Sequence, residues 1–276
     1  MCRLFGFRSD VPERVHESLV REANSLRVQS HEHKDGWGIA SYKHGPEPEV
    51  ARGTGPAHAD PEFERVSNIT SSHAVIAHVR LASVGPINIE NAHPFVWGRW
   101  TFAHNGTLQR FDQHAQTVEA LIDEDLRKLI RGETDSERCF YLFLSRLRAR
   151  CDVDAPPFEE VARALVDTAR TVVEITEHRA LKPSSTNFLV TDGRLMLATR
   201  RHRTLFYSEK KRRLLGQSAG PRVGERLRQF VVASEVLEGE TDWHELPENA
   251  VCGVDEQMRF WRWGFDELVE PSALSR

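Results

Sequence analysis

The sequence predicts an α+β fold, in which largely antiparallel sheets are covered by helices. The apolar patterns run as strands, then helices, then strands again, and they lack the alternating order of a doubly wound parallel sheet. The 276 residues are 39% hydrophobic and 28% charged, which are globular proportions. No repeat, low-complexity tract or linker interrupts the chain, so we expect one domain over residues 1–276.

The N-terminal part of the chain begins with a short strand at residues 3–7, which ties the first residues into a sheet. Pro12 then opens a helical pattern whose apolar positions continue to Leu26. A pair of strands is predicted across the His44-Gly45-Pro46 turn, and two buried strands follow it. These four strands are predicted at residues 39–43, 49–52, 75–80 and 100–103.

The middle of the chain is predicted to be helical at residues 119–130, 136–148 and 158–176, where apolar residues recur every three or four positions. Thr134 or Asp135 is expected to cap the second helix. Strands then return, and Asp192-Gly193 is a strong hairpin signal. The later strands are predicted at residues 186–191, 194–199, 205–208, 229–233, 250–254 and 258–263.

Charge and hydropathy restrict the class of partner. With 37 Lys plus Arg against 41 Asp plus Glu, the net charge of -4 gives no reason to expect nucleic acid. No apolar stretch approaches the roughly 20 residues of a membrane helix, and charges at Arg3, Arg8 and Asp10 break any export signal. Four irregularly spaced cysteines do not form a disulfide framework or a zinc site, which favours the reducing cytoplasm.

Cys2 is the first candidate for chemistry. If Met1 is removed, Cys2 presents both a thiol and a free α-amine. Their reference pKa values, about 8.5 and about 7.7 to 8.0, are close enough for the amine to accept the thiol proton. A single residue can therefore supply nucleophile and base. Taken alone, a cysteine at this position is equally compatible with a bystander at a frayed end.

A second motif, His104-Asn105-Gly106, follows a predicted apolar strand. An Asn side-chain NH₂ and a Gly backbone N–H, side by side at a strand end, can form an oxyanion hole with two donors. Glycine also lets the backbone approach a substrate closely. By itself, Asn-Gly is also the signature of an ordinary turn.

Two charged residues have the chemistry to hold the ends of an amino acid. Arg80 ends a predicted strand, and its planar guanidinium suits bidentate binding of a carboxylate. Asp135 can receive an ammonium group. Each residue also has an ordinary structural interpretation, a salt bridge for Arg80 and a helix cap for Asp135. Together with Cys2 and the Asn-Gly pair, they predict one site for an amino acid amide.

Five motifs stand in order along the chain. They are Met-Cys-Arg at the start, His-Lys-Asp-Gly-Trp-Gly at 33–38, Asn-Ala-His-Pro-Phe at 91–95, His-Asn-Gly at 104–106 and Thr-Asp-Ser-Glu at 134–137. Their combination resembles the class II glutamine amidotransferases, which are N-terminal-nucleophile (Ntn) hydrolases. The resemblance covers residues 2–140 by motif, and residues 141–276 are expected to complete the helices and the second sheet. The segment 231–235 looks like that of stand-alone members.

This resemblance implies a four-layer αββα sandwich, with two antiparallel sheets between helices. It also implies that Cys2 attacks the side-chain amide of glutamine, while Asn105 and Gly106 stabilise the tetrahedral oxyanion. Ammonia leaves, and water converts the γ-glutamyl thioester to glutamate. The chemistry needs no metal and no organic cofactor.

The resemblance further implies the substrate contacts. Arg80 would hold the α-carboxylate and Asp135 the α-ammonium group, with Ser83 and His104 also among the substrate-binding residues. Members with a fused synthase usually continue this arginine as Arg-Trp-Ala-Thr-His-Gly, whereas residues 80–85 here are Arg-Leu-Ala-Ser-Val-Gly. Ser83 keeps the hydroxyl and Val84 replaces the histidine. The alternative substrate is therefore another γ-glutamyl amide, as in ergothioneine-type biosynthesis.

No acceptor site follows the glutaminase-like region, because no sugar-isomerase, phosphoribosyltransferase or Gly-rich phosphate motif is present. Two alternatives remain open: ammonia passes to a separate synthase partner, or the enzyme is a simple amidohydrolase. A non-catalytic regulatory module is the alternative from another class. It would apply if Met1 is retained, since Cys2 would then lack a free α-amine.

Two other patterns have competing interpretations. His31-Glu32-His33 has residue types that bind zinc, but no His-Glu-x-x-His motif or cysteine pair supports a metal site, so a polar loop is favoured. A run of basic residues flanks Leu205-Phe206-Tyr207, and a solvated hairpin is favoured over a surface for phosphate, nucleic acid or an acidic partner. The basic residues are Arg200, Arg201, Arg203, Lys210, Lys211, Arg212 and Arg213.

Overall fold

The computed structural model describes residues 2–178, 181–209, 220–237 and 242–268, and these ranges contain thirteen strands. All the strand pairs are antiparallel. The strands are β1 (Arg3–Arg14), β2 (Trp37–Ser41), β3 (Glu49–Gly53), β4 (Ser71–Val79), β5 (Phe95–Trp97), β6 (Trp100–Thr107), β7 (Ser185–Thr191), β8 (Met196–Arg200), β9 (Phe206–Glu209), β10 (Gln229–Ala233), β11 (Trp243–Glu245), β12 (Ala250–Val254) and β13 (Phe260–Gly264).

Six α-helices occur in the same ranges, with short π or 3₁₀ turns at Glu17–Arg21, Ala57–Ala59 and Phe265–Leu268. None of these helices combines the length and the apolar character that a membrane crossing requires. The α-helices are α1 (Leu26–Gln29), α2 (Pro61–Ile69), α3 (Phe111–Glu119), α4 (Glu124–Arg127), α5 (Asp135–Arg148) and α6 (Phe158–Glu177).

The strands form two sheets, in the orders β11-β9-β10-β1-β4-β2-β3 and β13-β12-β8-β7-β6-β5. Side chains alternate between the two faces of each strand. Both faces of each sheet contribute residues to the buried clusters. Leu4 of the first sheet and Leu189 of the second share a core between the sheets. Phe140 of α5 packs on the outer face of the second sheet, and Phe63 of α2 packs on that of the first. The four-layer αββα arrangement is confirmed.

Several predicted elements are confirmed. The bounds of β10 and β12 are as predicted, β2 pairs with β3, and the Asp192-Gly193 turn joins β7 to β8 with Gly193 at a φ of 87°. Helices α5 and α6 differ from the prediction by one residue at an end. Thr134 caps α5, since its hydroxyl accepts a hydrogen bond from the backbone N–H of Glu137 at 3.2 Å.

Two predicted helices differ from the structure. The helix predicted from Pro12 to Leu26 is wrong at its start, because β1 continues to Arg14 and its Glu13 and Arg14 pair with β4 beyond a register shift, and the helical part is a π-helical turn at Glu17–Arg21. The predicted helix at residues 119–130 is split between α3 and α4, and at the break the Asp123 N–H donates to the Ser145 hydroxyl at 2.9 Å. Helix α2 was not predicted, although Pro61 follows an Asp60 cap.

The predicted basic hairpin is also wrong. Its two sides, β8 and β9, lie in different sheets, so the segment between them is a crossover. Arg200 pairs with Glu245 and Arg201 with Glu177, which makes both of them structural residues. Lys210, Lys211, Arg212 and Arg213 lie outside the described residues.

Candidate active site

Cys2 lies directly before β1, where the chain enters the first sheet. It lines a cavity of about 180 Å³, which we call the thiol cavity. The loop after β4 and the end of β6 supply most of the walls, so both sheets contribute to it. The other lining residues are Leu81, Ala82, Ser83, Asn105, Gly106, Thr107 and Arg203.

The Cys2 thiol is held by one residue of the loop after β4. Its Sγ atom is 3.5 Å from both the backbone N and the backbone O of Leu81, as acceptor from one and donor to the other. Burial raises the pKa of the Cys2 thiol, although the Leu81 hydrogen bond and the nearby Arg80 charge act in the opposite direction. The thiol is therefore protonated at neutral pH, and its activation requires a base.

Asn105 faces the thiol cavity from the second sheet, and its carboxamide is held in place by Ser234. The Nδ2 group of Asn105 donates to Ser234 Oγ at 2.9 Å, and the same oxygen accepts the backbone N–H of Leu4 at 3.0 Å. One hydroxyl thus connects β6 to the strand that carries Cys2. Ser234 belongs to the family-like segment 231–235, for which the sequence predicts no specific role. Leu4 and Asn105 are far from Ser234 along the chain, so the sequence does not show that they contact it.

Gly106 lines the thiol cavity beside Asn105, and its lack of a side chain is required there. A Cβ atom at this position would lie inside van der Waals contact of Ser185 O and His104 Nε2. These two atoms are themselves hydrogen-bonded at 2.8 Å, so they have little freedom to move apart. Strand β6 can therefore pack this closely against β7 and the His104 ring only with glycine here.

His104 lies on the opposite face of β6, buried against α5. Its Nε2 atom donates to Ser185 O, and its Nδ1 atom is 2.9 Å from Ser136 Oγ. Burial lowers the pKa of His104 despite the nearby Asp135 carboxylate, so the ring is neutral at pH 7. Nδ1 of that tautomer accepts from the Ser136 hydroxyl. In the described part of the chain, His104 supports the strand and does not line the thiol cavity.

Asp135 is the first residue of α5, and it fastens that helix to the end of β6. One oxygen of its carboxylate accepts the Leu108 N–H at 2.8 Å, and the other accepts the Ser136 N–H at 2.8 Å. The side chain is buried. Asp135 lies behind the residues that form the described wall of the thiol cavity.

Arg80 is 2% exposed, and its guanidinium holds the loop that follows it. Nη1 donates to Pro86 O at 3.0 Å, and Nη2 donates to Val84 O at 2.9 Å and Gly85 O at 3.2 Å. Asn91 donates to the same Pro86 carbonyl at 3.0 Å. Among the described residues, Arg80 therefore shapes the loop around the thiol cavity from behind it.

The motif at residues 33–38 also acts on this loop. Asp35 Oδ2 accepts the Ala82 N–H at 2.8 Å, and the Asp35 N–H donates to Arg80 O at 2.9 Å. Gly36 has a φ of 135°, a backbone conformation that favours glycine. This motif keeps the wall of the thiol cavity in register with β4.

Arg203 is the cationic side chain among the residues that line the thiol cavity in the described chain. Burial lowers the pKa of Arg203 from its usual value, and its Nε atom has no hydrogen-bond partner among the described residues. In the sequence, Arg203 is one residue of the basic run. Nothing local distinguishes it from Arg200 and Arg201, which pair with carboxylates.

The His31-Glu32-His33 segment lies around the same cavity as Arg3, the residue after Cys2. The His31 ring stacks on His58 with centroids 3.8 Å apart, whereas His33 is buried. Within the described ranges, no group of three or more His, Cys, Asp or Glu side chains has an arrangement that could hold a metal ion.

Known proteins are similar to this chain in sequence and in fold. Residues 1–253 match the family model of the class II glutamine amidotransferases. The chain belongs to this family. Class II glutamine amidotransferases are enzymes, and the predicted family is confirmed.

Two relatives are similar in sequence to this glutamine amidotransferase. A probable glutamine amidotransferase from Saccharomyces cerevisiae, DUG3, is 28% identical over 315 residues, which cover 99% of this chain and 87% of the relative. A γ-glutamyl-hercynylcysteine sulfoxide hydrolase from Mycobacterium tuberculosis is 33% identical over 120 residues, covering 40% of this chain and 51% of the relative.

A solved structure agrees on the fold of this glutamine amidotransferase. A glutamine aminotransferase class-II domain protein from Silicibacter pomeroyi superposes with a TM-score of 0.66 at 22% identity. The match covers 96% of this chain and 98% of that protein. The Ntn-hydrolase arrangement of two antiparallel sheets between helices is confirmed.

Proposed function

We propose that this class II glutamine amidotransferase is a Cys2-dependent amidohydrolase that converts glutamine to glutamate and ammonia. One observation carries the proposal: the Cys2 thiol shares a single cavity with Asn105 and Gly106. A nucleophile and two adjacent N–H donors are the groups that amide cleavage through a tetrahedral intermediate requires. Family membership supports the same chemistry.

The base in this mechanism is the α-amine of Cys2. Met1 lies outside the described residues, and its removal exposes that amine. The amine takes the thiol proton as Sγ bonds to the amide carbon, and the Asn105 and Gly106 N–H groups stabilise the oxyanion. The amine then returns the proton to the nitrogen, the carbon–nitrogen bond breaks, and ammonia leaves. Water hydrolyses the thioester to glutamate and regenerates the thiol.

The proposed substrate contacts have two sources: Ser83 and Arg203 line the thiol cavity, whereas Arg80 and Asp135 are proposed from the family resemblance alone. Ser83 lines the thiol cavity, and its hydroxyl is 3.0 Å from the Thr107 hydroxyl. Arg80 is proposed for the α-carboxylate of the substrate, with Arg203 as a second cation on the cavity wall. Asp135 is proposed for the α-ammonium group, and His104 for support of the strand that carries the oxyanion hole.

The Mycobacterium tuberculosis relative favours a second candidate function, hydrolysis of a larger γ-glutamyl amide. Ammonia transfer to a separate synthase partner is compatible with the same site chemistry. All four cysteines are free, which supports the cytoplasm as the proposed location.

Intact-protein mass spectrometry with the glutamine analogue 6-diazo-5-oxo-L-norleucine tests the proposal. We expect a wild-type mass without Met1 and one adduct on Cys2. Cys2→Ala should show no adduct and no release of ammonia from glutamine, whereas Cys151→Ala, which changes another partly exposed cysteine, should behave as wild type.

Two results would count against the proposal. Full ammonia release by Cys2→Ala would exclude the thiol as the nucleophile. A retained Met1 without turnover would favour the non-catalytic regulatory module.

A further inference from the structure

Another cavity, of about 430 Å³, lies at the end of the sandwich opposite Cys2. We call it the distal cavity. Arg8 lines it, and Arg8 follows Cys2 by six residues along β1, which separates the two by roughly 20 Å at about 3.3 Å per residue. The turns β2–β3, β5–β6 and β7–β8 surround it, so both sheets contribute to its walls. Its charged lining residues are Arg8, Asp10, Lys43, Arg99, Asp192 and Arg194.

Arg8 is a buried cation that forms no salt bridge with any carboxylate of the described chain. It is 8% exposed. Its Nε donates to Arg194 O at 3.1 Å, and its Nη1 donates to the carbonyl groups of Ser9 and His73. Its Nη2 has no hydrogen-bond partner among the described residues, and it is not one of the polar atoms shielded from solvent. Buried charges are normally paired, so this guanidinium has unused capacity for an anion.

Arg99 brings a second guanidinium with an unused donor to the same cavity. Its Nη1 donates to Asp154 O at 2.9 Å, and its Nε lies 3.5 Å from Asp192 Oδ2. Its Nη2, like that of Arg8, is open to solvent and has no hydrogen-bond partner in the described ranges. The backbone of Arg99 is fixed, because its carbonyl accepts the Tyr42 hydroxyl at 2.6 Å. Two guanidinium groups on rigid elements therefore present free N–H donors to one cavity.

Asp192 stabilises the β7–β8 turn and does not neutralise these two cations. It is fully buried. Its Oδ1 accepts the backbone N–H groups of Arg194 at 2.9 Å and Leu195 at 3.0 Å, and its Oδ2 accepts Arg194 Nε at 2.9 Å. Burial lowers the pKa of Arg8, although the Asp192 and Asp10 charges act in the opposite direction. The nearby carboxylates therefore compensate the Arg8 charge only in part.

The other charges of the lining leave positive charge in excess. Lys43 pairs with Glu49 at 2.9 Å and Arg194 pairs with Glu256 at 3.3 Å, but both glutamates are exposed and lie outside the lining. Such pairs are weak, because water screens them. Asp10 is the second carboxylate of the lining, and its Oδ1 is shielded from solvent. Within the lining, four cations therefore face two carboxylates, one of which is already saturated with donors.

We propose that the distal cavity binds a phosphate group between Arg8 and Arg99, either as inorganic phosphate or as the phosphate of a small metabolite ester. A phosphate has at least three strong acceptor oxygens in a tetrahedral arrangement, so it can accept from donors that approach from both sheets. A carboxylate has two oxygens in one plane and is best matched by the fork of a single guanidinium. The volume of about 430 Å³ lies within the range of about 300 to 1,000 Å³ for small-molecule sites, so an ester can fit.

Isothermal titration calorimetry of the wild-type protein with inorganic phosphate, at constant ionic strength, tests the proposal. We expect saturable binding at one site. Arg99→Gln removes one of the two free donors and should weaken the affinity about 10- to 100-fold, the range of a charge-assisted hydrogen bond. Arg203→Gln is the matched control, because it removes a cation from the thiol cavity and should bind phosphate as the wild type does.

Lys43→Gln keeps the test decisive if Arg99→Gln does not fold. Lys43 lines the distal cavity and its partner Glu49 is exposed, so its loss should leave the thermal stability unchanged. We expect a severalfold weaker affinity for phosphate, because the lining loses a positive charge. Arg65→Gln, which removes a charge from an exposed pair with Glu62 on α2, should change neither value.

Two further probes identify the source of the phosphate and the kind of anion. Tighter binding of glucose 6-phosphate than of inorganic phosphate would assign the cavity to an ester, and the reverse order would assign it to free phosphate. Succinate, a dicarboxylate, should bind more weakly than both.

Four results would overturn the proposal. They are no saturable binding of either phosphate compound, wild-type affinity in both Arg99→Gln and Lys43→Gln, loss of binding in Arg203→Gln, and binding of succinate as tight as that of phosphate. None of these measurements depends on the activity of Cys2.

Discussion

Asn105 is the residue whose side chain is best placed to act on the reacting carbonyl, since it lines the thiol cavity and is held by Ser234. Its hydrogen bond strengthens as the carbonyl oxygen becomes an oxyanion, so its loss acts mainly on the transition state. We expect Asn105→Ala to lower kcat for glutamine by about 100-fold or more with little change in KM. Steady-state ammonia release measures both constants.

Ser234→Ala provides the matched control, because it keeps the Asn105 amide and removes only the group that holds it. It should lower kcat by less than Asn105→Ala. An unchanged kcat in Asn105→Ala would exclude this side chain as an oxyanion donor.

Arg80 and Arg203 differ in what they contact, and this difference predicts separable effects. Arg203→Gln should raise KM for glutamine about tenfold with little change in thermal stability, because it removes a cation from the cavity wall. Arg80→Lys should raise KM and also lower Tm, since an ammonium group cannot serve the three loop carbonyls. Arg127→Gln, on the exposed side of α4, is the control. An unchanged KM in Arg203→Gln would assign the α-carboxylate to Arg80 alone.

At the residue scale, the sequence indicated the proposed nucleophile and the proposed oxyanion donors but not the residues that support them. Cys2, Ser83, Asn105 and Gly106 line one cavity; Cys2, Asn105 and Gly106 were proposed from their chemistry, and Ser83 from the family resemblance. Arg203 and Ser234 were not assigned a role, because their importance comes from sheet crossovers that bring distant segments together. Arg80 has the chemistry of a carboxylate ligand, yet its contacts in the structure are with carbonyl groups of the next loop.

Helix α5 is the element that orients Asp135, and its start depends on the Thr134 cap. Thr134→Ala removes the hydroxyl that accepts the Glu137 N–H. We expect it to lower the free energy of unfolding by about 1 kcal/mol and to raise KM for glutamine, because Asp135 is the first helical residue. Urea unfolding and steady-state kinetics measure these effects. Thr134→Ser keeps the acceptor and should show the wild-type free energy of unfolding and KM. An unchanged free energy of unfolding in Thr134→Ala would show that the cap is not needed.

The packing of strand β6 leads to a separate prediction for Gly106. A methyl group there would collide with Ser185 O and His104 Nε2, and β6 could accept it only by moving away from β7. We expect Gly106→Ala to lower both kcat and Tm, because overpacking distorts the strand that carries the proposed oxyanion donors. Gly45→Ala, where a Cβ would meet no atom within 4 Å, tests whether loss of glycine alone is harmful. Wild-type kcat in Gly106→Ala would show that β6 is not so constrained.

Elements were predictable where local pattern and tertiary structure agree. Helices α5 and α6 have long apolar stripes and clear starts, so their bounds were predicted within one residue. The pattern from Pro12 to Leu26 failed because β1 gains ladder hydrogen bonds with β4 that local sequence does not encode. Helix propensity is a weak preference, and a long-range sheet pairing overrides it.

Several histidines are buried in the folded protein. Because they bind protons less readily than in the unfolded chain, they make the free energy of unfolding depend on pH. Burial lowers the pKa of His33 to about 4 and of His78 to about 3, and the pKa of His93 lies well below its usual value. Unfolding exposes these rings, which then bind protons near pH 6.5. Since the unfolded chain binds more protons than the folded chain, the free energy of unfolding is highest above pH 6.5 and falls as the pH decreases towards 4.

His93 offers the sharpest test of this dependence. Both of its ring nitrogens are buried and lack hydrogen-bond partners in the described chain, and its ring stacks on His78 with centroids 4.1 Å apart. His93→Phe keeps a ring of similar shape, so we expect stability at pH 7 to be maintained and the slope between pH 6 and 4.5 to decrease by up to about 1.4 kcal/mol per pH unit, the value for one proton. Urea unfolding across this range measures the slope, and His44→Asn, at an exposed position, should leave it unchanged. A wild-type slope of zero would mean that these rings are already protonated or solvated in the folded protein, whereas a smaller slope in His93→Phe would show that the stacked pair of histidines makes the sandwich sensitive to acid.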